Sequence, residues 1–268
     1  MKRTLIEPII DDFPSEYRDI LKSSKIYDSS CSPEARVFYI ERDNGYFLKH
    51  SSRGALKNEA LMGDYFHKKG LSSKVISYIT GETDWLLSTA VIGEDCTHGQ
   101  YLDDPKRLCD TLAQKLRELH SMDFSDCPIQ NKMDSYFSVA RKNFEKGSYD
   151  LSFFMPDGKI QNSIFASVSA ENVFTLFENN KNELKSDTLL HGDYCLPNII
   201  LDNWSFSGFI DLGNGGVGDR HIDIFWGTWT LNFNLKTDKY RERFYDAYGR
   251  ERINTDLLTL VSCAEVFG

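Results

Sequence analysis

Hydrophobic and polar positions change their period along this chain. In the first third the apolar residues fall in short β-branched or aromatic runs: "ARVFYI" (35–40), "GYFLKH" (45–50), "KVISYI" (74–79) and "DWLLST" (84–89). Runs of this length and composition predict strands. "RDNG" (42–45) separates the first two, and Asn-Gly predicts a hairpin turn there. Between the second and third, Leu56, Ala60, Leu61, Tyr65 and Phe66 recur at helical spacing. Gly70 follows where the residue just past a helix end should stand. From Gly93 onward helical periodicity takes over. Asp104 is placed to cap a helix, Pro105 to occupy its first position, and Leu108, Leu112, Leu116 and Leu119 to form one apolar stripe.

Further amphipathic segments read "KMDSYFSVARKNFEKG", "AENVFTLFENNKNEL", "RHIDIFWGTWTLNF", "DKYRERFYDAYG" and "TDLLTLVSCAEVF", with irregular sequence around "FFMPDGKIQNSIF". No internal repeat or low-complexity stretch interrupts them. The pattern predicts an α+β fold of two lobes. A small antiparallel β lobe with one helix spans residues 1–91, and a larger, mainly helical lobe spans 92–268. A crevice between two lobes is a favoured place for a ligand.

Composition narrows the classes. The 268 residues are 41% hydrophobic and 26% charged, enough for a substantial core. No apolar run is long enough to cross a bilayer, and "MKRTLIEPII" lacks the features of a signal peptide, so a cytoplasmic location is expected. The six cysteines are scattered without a C-x-x-C pair, which predicts reduced, mostly buried thiols and no structural zinc. A formal charge of −9 disfavours nucleic acid and anionic membrane surfaces as partners and favours cations. Nothing in the sequence calls for an obligate protein partner.

Chemistry concentrates in "HGDYCLPNIILDNWSFSGFID" (191–211). "TLLHGD" brings a buried strand to a turn at Gly192 and leaves Asp193 at its mouth. "NIILD" and "FSGFID" are two more apolar runs joined by the turn-like "DNWS". Pairing them as a hairpin brings together Asn198, at the start of one, and Asp211, at the end of the other. An amide and a carboxylate oxygen suit Mg²⁺. Phosphoryl transfer from ATP uses these parts: a metal on the phosphates and a carboxylate that orients the attacking hydroxyl. A lone Asp near a turn is usually a turn or capping residue, so the weight rests on the whole spacing H-G-D-x-x-x-x-N with I-D-x-G beyond it.

That spacing resembles the catalytic loop of protein kinases, where Asp-Phe-Gly follows in place of Asp-Leu-Gly (211–213). With "DYCLPNIIL", "FSGFIDLGNGGVGDRHIDI" and the terminal "AEVF", the whole chain resembles the aminoglycoside phosphotransferases, in particular their 3′-phosphotransferase branch. The resemblance implies a two-lobed kinase-like fold. It also implies transfer of the γ-phosphate of ATP, with Mg²⁺, to a hydroxyl of an aminoglycoside, conferring resistance. It assigns Asp193 as catalytic, Asn198 and Asp211 as metal ligands, Lys49 as the phosphate-gripping lysine and Glu59 as its partner. Ser32 in "SSCSPEARVF" matches the loop over the phosphates. Phe47 matches an adenine-stacking aromatic, a core Phe being the alternative, and Thr89 and Val91 would meet the base through backbone atoms. Asp219 and Asp223 resemble acids that brace the catalytic loop. His191 is expected to be a buried loop residue, and Cys195 an inert thiol.

The acceptor side departs from the family's pattern. Aminoglycosides carry several ammonium groups, yet the segment after Asp150 offers only Asp157, and "FWGTWTLNFN" has Trp226, Trp229 and Phe233 where carboxylates are expected. Glu265 is retained, while Ala264 stands where an Asp is common and Gly268 follows Phe267. Glu265, Asp157, Trp226 and Trp229 are the candidate acceptor-binding residues; the aromatics either stack on the acceptor or pack the core at i, i+3, i+7 spacing. The alternatives are a kinase of this fold with another acceptor (a macrolide, a peptide antibiotic, choline or a sugar-like metabolite) and a catalytically inactive binding module. Retention of Lys49, Asp193, Asn198 and Asp211 together weighs against the last. A metal-dependent hydrolase lacks the additional ligands it would need.

Overall fold

The computed structural model describes residues 3–156 and 168–268. They form two compact units, one running to Cys96 and taking in Pro197–Asn214, the other comprising Thr97–Leu196 and Gly215–Gly268.

The first unit is built on a six-stranded sheet. Its strands are β1 (Thr4–Ile6), β2 (Lys25–Asp28), β3 (Ala35–Glu41), β4 (Tyr46–Ser52), β5 (Val75–Thr80) and β6 (Thr83–Thr89). Their order is β1-β2-β3-β4-β6-β5, with every pairing antiparallel. The turn at residues 42–45 closes by Gly45 N–H donating to Arg42 O at 2.8 Å. Two helices flank the sheet. Helix α1 (Ser15–Lys22), which the periodicity did not assign, lays Tyr17 and Leu21, with Phe13 just ahead of it, against Ile26, Phe38, Ile40, Leu48 and Leu87. Helix α2 (Lys57–Lys68) covers the other face, where Leu56 and Ala60 meet Leu86. Alternation along β4 separates the two: Leu48 is fully buried on the α1 face, so Phe47 and Lys49 lie on the α2 face. In register with Lys49 stand Val37 and Leu86, and with Phe47 stand Tyr39 and Ser88.

One buried carboxylate fixes where α2 begins. Asp84 is fully buried and accepts from Leu56 N–H at 3.0 Å, Tyr78 Oη at 2.9 Å and Thr80 Oγ1 at 2.8 Å. Burial alone would raise its pKa, but these donors and Gly54 outweigh burial and hold it below the ordinary value. Leu56 is the residue preceding α2, so the strand-borne Asp84 sets the position of Glu59 one turn later.

A second, three-stranded sheet in this unit is ordered β10-β9-β7, from β7 (Glu94–Asp95), β9 (Ile199–Asp202) and β10 (Ser205–Phe209). The hairpin turn places Asn203 and Trp204 at φ 47° and 70°, the positive pair a two-residue type I′ turn requires. Gly93 has φ 120°, and a Cβ there would lie 2.3 Å from Leu201 O, so only glycine lets the connection pass β9.

The second unit is mainly helical. It holds α3 (Gly99–Leu102), α4 (Pro105–Leu119), α5 (Met133–Glu145), α6 (Ala170–Asn180), α7 (His221–Leu235), α8 (Arg241–Tyr248) and α9 (Thr255–Glu265). A two-stranded sheet pairs β8 (Thr188–Leu190) with β11 (Gly216–Gly218). The cap read from sequence is present: Asp104 accepts from Arg107 N–H, with Pro105 at the first helical position. Its stripe of Leu108, Leu112, Leu116 and Leu119 is at most 1% exposed. Each such leucine contributes on the order of 2 kcal/mol by leaving water. Among the described residues no helix is long and apolar enough to cross a membrane. All six cysteines are free, and Cys96, Cys109, Cys127 and Cys263 are buried.

Candidate active site

Lys49, Glu59 and Asp211 form one cluster in the first unit. Lys49 Nζ lies 2.5 Å from Glu59 Oε1 and 3.0 Å from Asp211 Oδ1. Strand β4 carries the lysine, the first turn of α2 the glutamate, and the second residue past β10 the aspartate. Burial would push the Lys49 ammonium toward neutrality, but Glu59 and Asp211 outweigh it and hold the charge firmly on. Burial drives the Glu59 carboxyl upward, opposed by Lys49 and reinforced by Asp211. The result is a fixed cation between two carboxylates, with the Asp211 side chain half exposed.

Asn198 is brought near Asp211 along the backbone by the hairpin. Ile199 pairs with Phe209, and Asn198 O accepts from Ile210 N–H at 3.0 Å, which sets the Asn198 backbone beside that of the residue before Asp211. Asn198 is buried, and Asp211 sits at φ 60°, a left-handed conformation that Asp tolerates better than most residues. Among the described residues no three His, Cys, Asp or Glu side chains gather to hold a metal alone. One amide and one carboxylate are a donor set suited to Mg²⁺, which keeps waters and takes remaining oxygens from phosphates.

The other nucleotide-side candidates are more dispersed. Phe47 packs on Tyr39 at 5.2 Å between ring centroids, on the face that carries Lys49. Ser32 is exposed in the β2–β3 loop, whose path is set by Ser30 N–H on Asp28 Oδ1 and Val37 N–H on Ser30 Oγ. Thr89 ends β6 and spends its hydroxyl accepting from Lys74 N–H at 3.0 Å. Val91 packs on Gly208 of β10, where a Cβ would come within 3.1 Å of its methyl carbon.

In the second unit, buried β8 ends at Leu190 and the loop from His191 to Leu196 follows. Its backbone is held from several sides. Asp223 accepts from His191 N–H and Gly192 N–H, each at 2.8 Å, and Asp193 N–H donates to His191 Nδ1 at 3.2 Å. Tyr194 Oη donates to Leu112 O, and Leu196 N–H to Thr230 Oγ1. Gly192 has φ 85°, a turn that glycine makes without strain, and the next residue, Asp193, is half-buried. Burial, and then the Asp193 carboxylate, raise the Cys195 thiol well above its ordinary value, so it is a poor nucleophile.

Glu265 lies in the same unit, in electrostatic reach of Asp193. It is 7% exposed and accepts from Tyr136 Oη at 2.8 Å; the Trp226 indole also bonds to it. Burial pushes its carboxyl up to about 7 despite those two donors, and Asp193 adds to the rise. From Trp226 an aromatic row continues along α7. Trp226 meets Trp229 at 5.3 Å, Trp229 stacks on Phe233 at 4.9 Å, and Phe153 touches both tryptophans. Trp226 and Trp229 are half-buried, and Phe233 is 53% exposed. Asp157 lies outside the described residues. Tyr136 and Phe153 were not singled out from sequence. Tyr136 sits 129 positions from Glu265 in an ordinary amphipathic helix, and no local signal marks it.

Fold and loop chemistry together define an enzyme of phosphoryl transfer, and comparison with known proteins agrees. Residues 33–258 match the sequence model of the phosphotransferase enzyme family, and the chain belongs to that family. It is 51% identical over 260 residues to a probable aminoglycoside 3′-phosphotransferase of Lactococcus lactis subsp. lactis (strain IL1403), covering 97% of this chain and 96% of that one. It is 29% identical over 176 residues to the aminoglycoside 3′-phosphotransferase of Niallia circulans, 66% of this chain and 64% of that protein. The fold is the two-lobed, protein-kinase-like α+β fold. It matches a crystal structure of an aminoglycoside-3′-phosphotransferase of type VIII with TM-score 0.74 at 20% identity, over 95% of this chain and 100% of that one. An aminoglycoside phosphotransferase of Streptomyces rimosus ATCC10970, in complex with ADP and streptomycin, matches with TM-score 0.68 at 21% identity, over 87% of this chain and 91% of that one.

Proposed function

We propose that this enzyme moves the γ-phosphate of ATP to a hydroxyl of an aminoglycoside antibiotic, the 3′-hydroxyl, and so confers resistance. The Lys49–Glu59–Asp211 cluster carries the phosphotransfer part of this reading. The acceptor class is supported by 51% identity over nearly the full length to a probable aminoglycoside 3′-phosphotransferase.

Residues 1–91 are assigned the nucleotide and residues 92–268 the catalytic loop and acceptor. Lys49, kept charged and oriented by Glu59, binds the phosphates as a fixed cation. Phe47 offers a ring to the adenine, Thr89 and Val91 their backbone, and Ser32 the loop over the phosphates. Asn198 and Asp211 would hold Mg²⁺, which when bound neutralises charge on the phosphate oxygens. Asp193 orients the acceptor hydroxyl and accepts its proton at the carboxylate. Positioning and electrostatics supply most of the rate in such transfers, so rigid support of the Asp193 loop matters more than its basicity.

On the acceptor side, Glu265 takes one ammonium group, and Trp226 and Trp229 stack on sugar faces or receive a second ammonium over a ring. Lys236 Nζ, at the end of the same helix, lies 4.3 Å from the centre of the Phe233 ring. ADP release assayed with kanamycin, neomycin, streptomycin and a set of non-aminoglycoside alcohols tests the function. Turnover is expected with kanamycin and neomycin, and Trp229→Leu should raise the acceptor KM about 3- to 30-fold with the ATP KM unchanged. Turnover confined to non-aminoglycosides would reject the acceptor assignment.

Because Glu265 ionises near pH 7, its charge is available above that pH and lost below it. The KM for a cationic acceptor is therefore expected to rise about fivefold between pH 7 and pH 6, and Glu265→Gln should flatten that profile. Between the ordinary value of 4.5 and about 7 the folded state binds more protons than the unfolded one, so stability falls as pH rises through that window. Thermal melts of Glu265→Gln across it should lose that slope. An equally steep KM profile in Glu265→Gln would remove Glu265 from acceptor binding.

A further inference from the structure

His120 ends α4, Asp223 lies in the first turn of α7, and Tyr248 ends α8. The three side chains meet in the interior of the second unit. His120 Nε2 is 3.1 Å from Asp223 Oδ2, and His120 Nδ1 is 2.8 Å from Tyr248 Oη; the His120 and Asp223 side chains are both fully buried. An ionised carboxylate can only accept, so Nε2 carries the imidazole proton. Burial disfavours a second proton on the ring, against the pull of Asp223, so Nδ1 is an acceptor and Tyr248 donates to it. Burial raises the Tyr248 phenol to about 12, which keeps it a hydroxyl donor.

The chain of bonds ends on the catalytic loop. Asp223 takes one donor from His120 and two from consecutive backbone N–H groups, those of His191 on Oδ2 and Gly192 on Oδ1. The next residue is Asp193. A fully buried ionic group rarely stabilises a fold more than apolar side chains of the same shape would, so its presence here asks for another reason. A second buried pair supplies the contrast. Asp219 binds His221 Nδ1 at 2.6 Å and Lys185 N–H at 2.8 Å, and His221 Nε2 accepts from Asn254 N–H, tying α7 to the start of α9. The bonds of that pair clamp α7 to the segment before β8 and to the start of α9.

We propose that His120 is a positioning residue for phosphoryl transfer: its Nε2–H fixes the rotamer of Asp223, which in turn holds the backbone that presents Asp193. The inference rests on the assignment of Asp193 as the group that meets the acceptor. Displacement of a reacting group by about 1 Å can cost about 10²-fold in rate. Loosening this support therefore lowers kcat and leaves nucleotide binding alone.

Two amides of different reach test it. Gln at position 120 places a donor near the Nε2 site, while Asn reaches only the Nδ1 site. His120→Asn is expected to lower kcat about 10²-fold with the ATP KM within about twofold of wild type, and His120→Gln to recover most of the loss. Tyr248→Phe, which frees the tautomer, is expected to lower kcat several-fold, again without moving the ATP KM. If His120→Asn does not fold, Tyr248→Phe decides. Equal kcat in His120→Asn and His120→Gln after correction for folded fraction, or wild-type kcat in Tyr248→Phe, would overturn the proposal. Asp193→Asn measured alongside separates the two readings. Wild-type turnover there rejects the role of Asp193 itself, whereas its collapse beside an unaffected His120→Asn rejects only the role of His120.

Discussion

Asp193→Ala is expected to lower kcat by about 10²- to 10⁴-fold, the range for loss of a positioned acid–base group, while ADP binding by calorimetry stays at the wild-type level. The loop geometry makes this a clean experiment. The backbone of residues 191–193 is held by Asp223 and by the His191 ring, bonds made by groups other than the Asp193 carboxylate, which itself also bonds to the Cys195 thiol. The substitution therefore removes a carboxylate and leaves its platform. The lower end of the range applies if the transferring phosphoryl is nearly free of both oxygens at the transition state, because then little proton transfer has occurred and Asp193 mainly aligns the hydroxyl. The higher end applies if the proton moves with the phosphoryl. Asp193→Asn separates these: an amide still accepts a hydrogen bond but takes no proton, so a milder loss than in Asp193→Ala assigns the residue to alignment. Removing the charge also relieves Glu265, whose carboxyl Asp193 pushes up, so the acceptor pH profile should shift to lower pH in both variants. Wild-type kcat in Asp193→Ala would end the assignment.

Local signals explain what the sequence made readable. The four strands of residues 35–89 carried strong β-branched and aromatic runs, and they form β3 to β6 within two residues of their expected bounds. Asp104 and Pro105 announced α4, and the spacing from Asn198 to Asp211 announced a hairpin whose two ends meet. Strands β1 and β2 and helix α1 were not read. They are three, four and eight residues long, too short for a period to stand out, and they depend on the sheet face they cover. Strand-edge position gave Asp84 away only as a polar start to β6; its three partners at Leu56, Tyr78 and Thr80 exist only after the chain folds back. The same holds for His120 and Tyr248, 128 positions apart. Periodicity left the aromatics of α7 open between core and site, because a helix stripe looks identical from sequence whether protein or ligand covers it.

The second large effect is expected at Asp211. Asp211→Asn should lower kcat/KM by about 10²- to 10³-fold, the range for removing one preorganised electrostatic group from a site where charge develops. It should also raise the Mg²⁺ concentration needed for half-maximal rate. Asn is the informative substitution because the backbone at residue 211 sits at φ 60°, where Asn is as comfortable as Asp, whereas Ala would add about 1–2 kcal/mol of strain. The neutral amide keeps the shape and loses the charge that draws Lys49 Nζ to 3.0 Å. Lys49 then answers to Glu59 alone, and Glu59 is freed of the like charge that pushes its carboxyl up. The ion pair across β4 and α2 should therefore tighten even as the enzyme fails, and thermal stability should hold at or above the wild-type level. Loss of activity with retained or increased melting temperature is the signature of a carboxylate placed for ligand and not for fold. A drop in melting temperature that accounts for the lost activity would assign Asp211 to structure, and an unchanged Mg²⁺ requirement would take it out of the metal site.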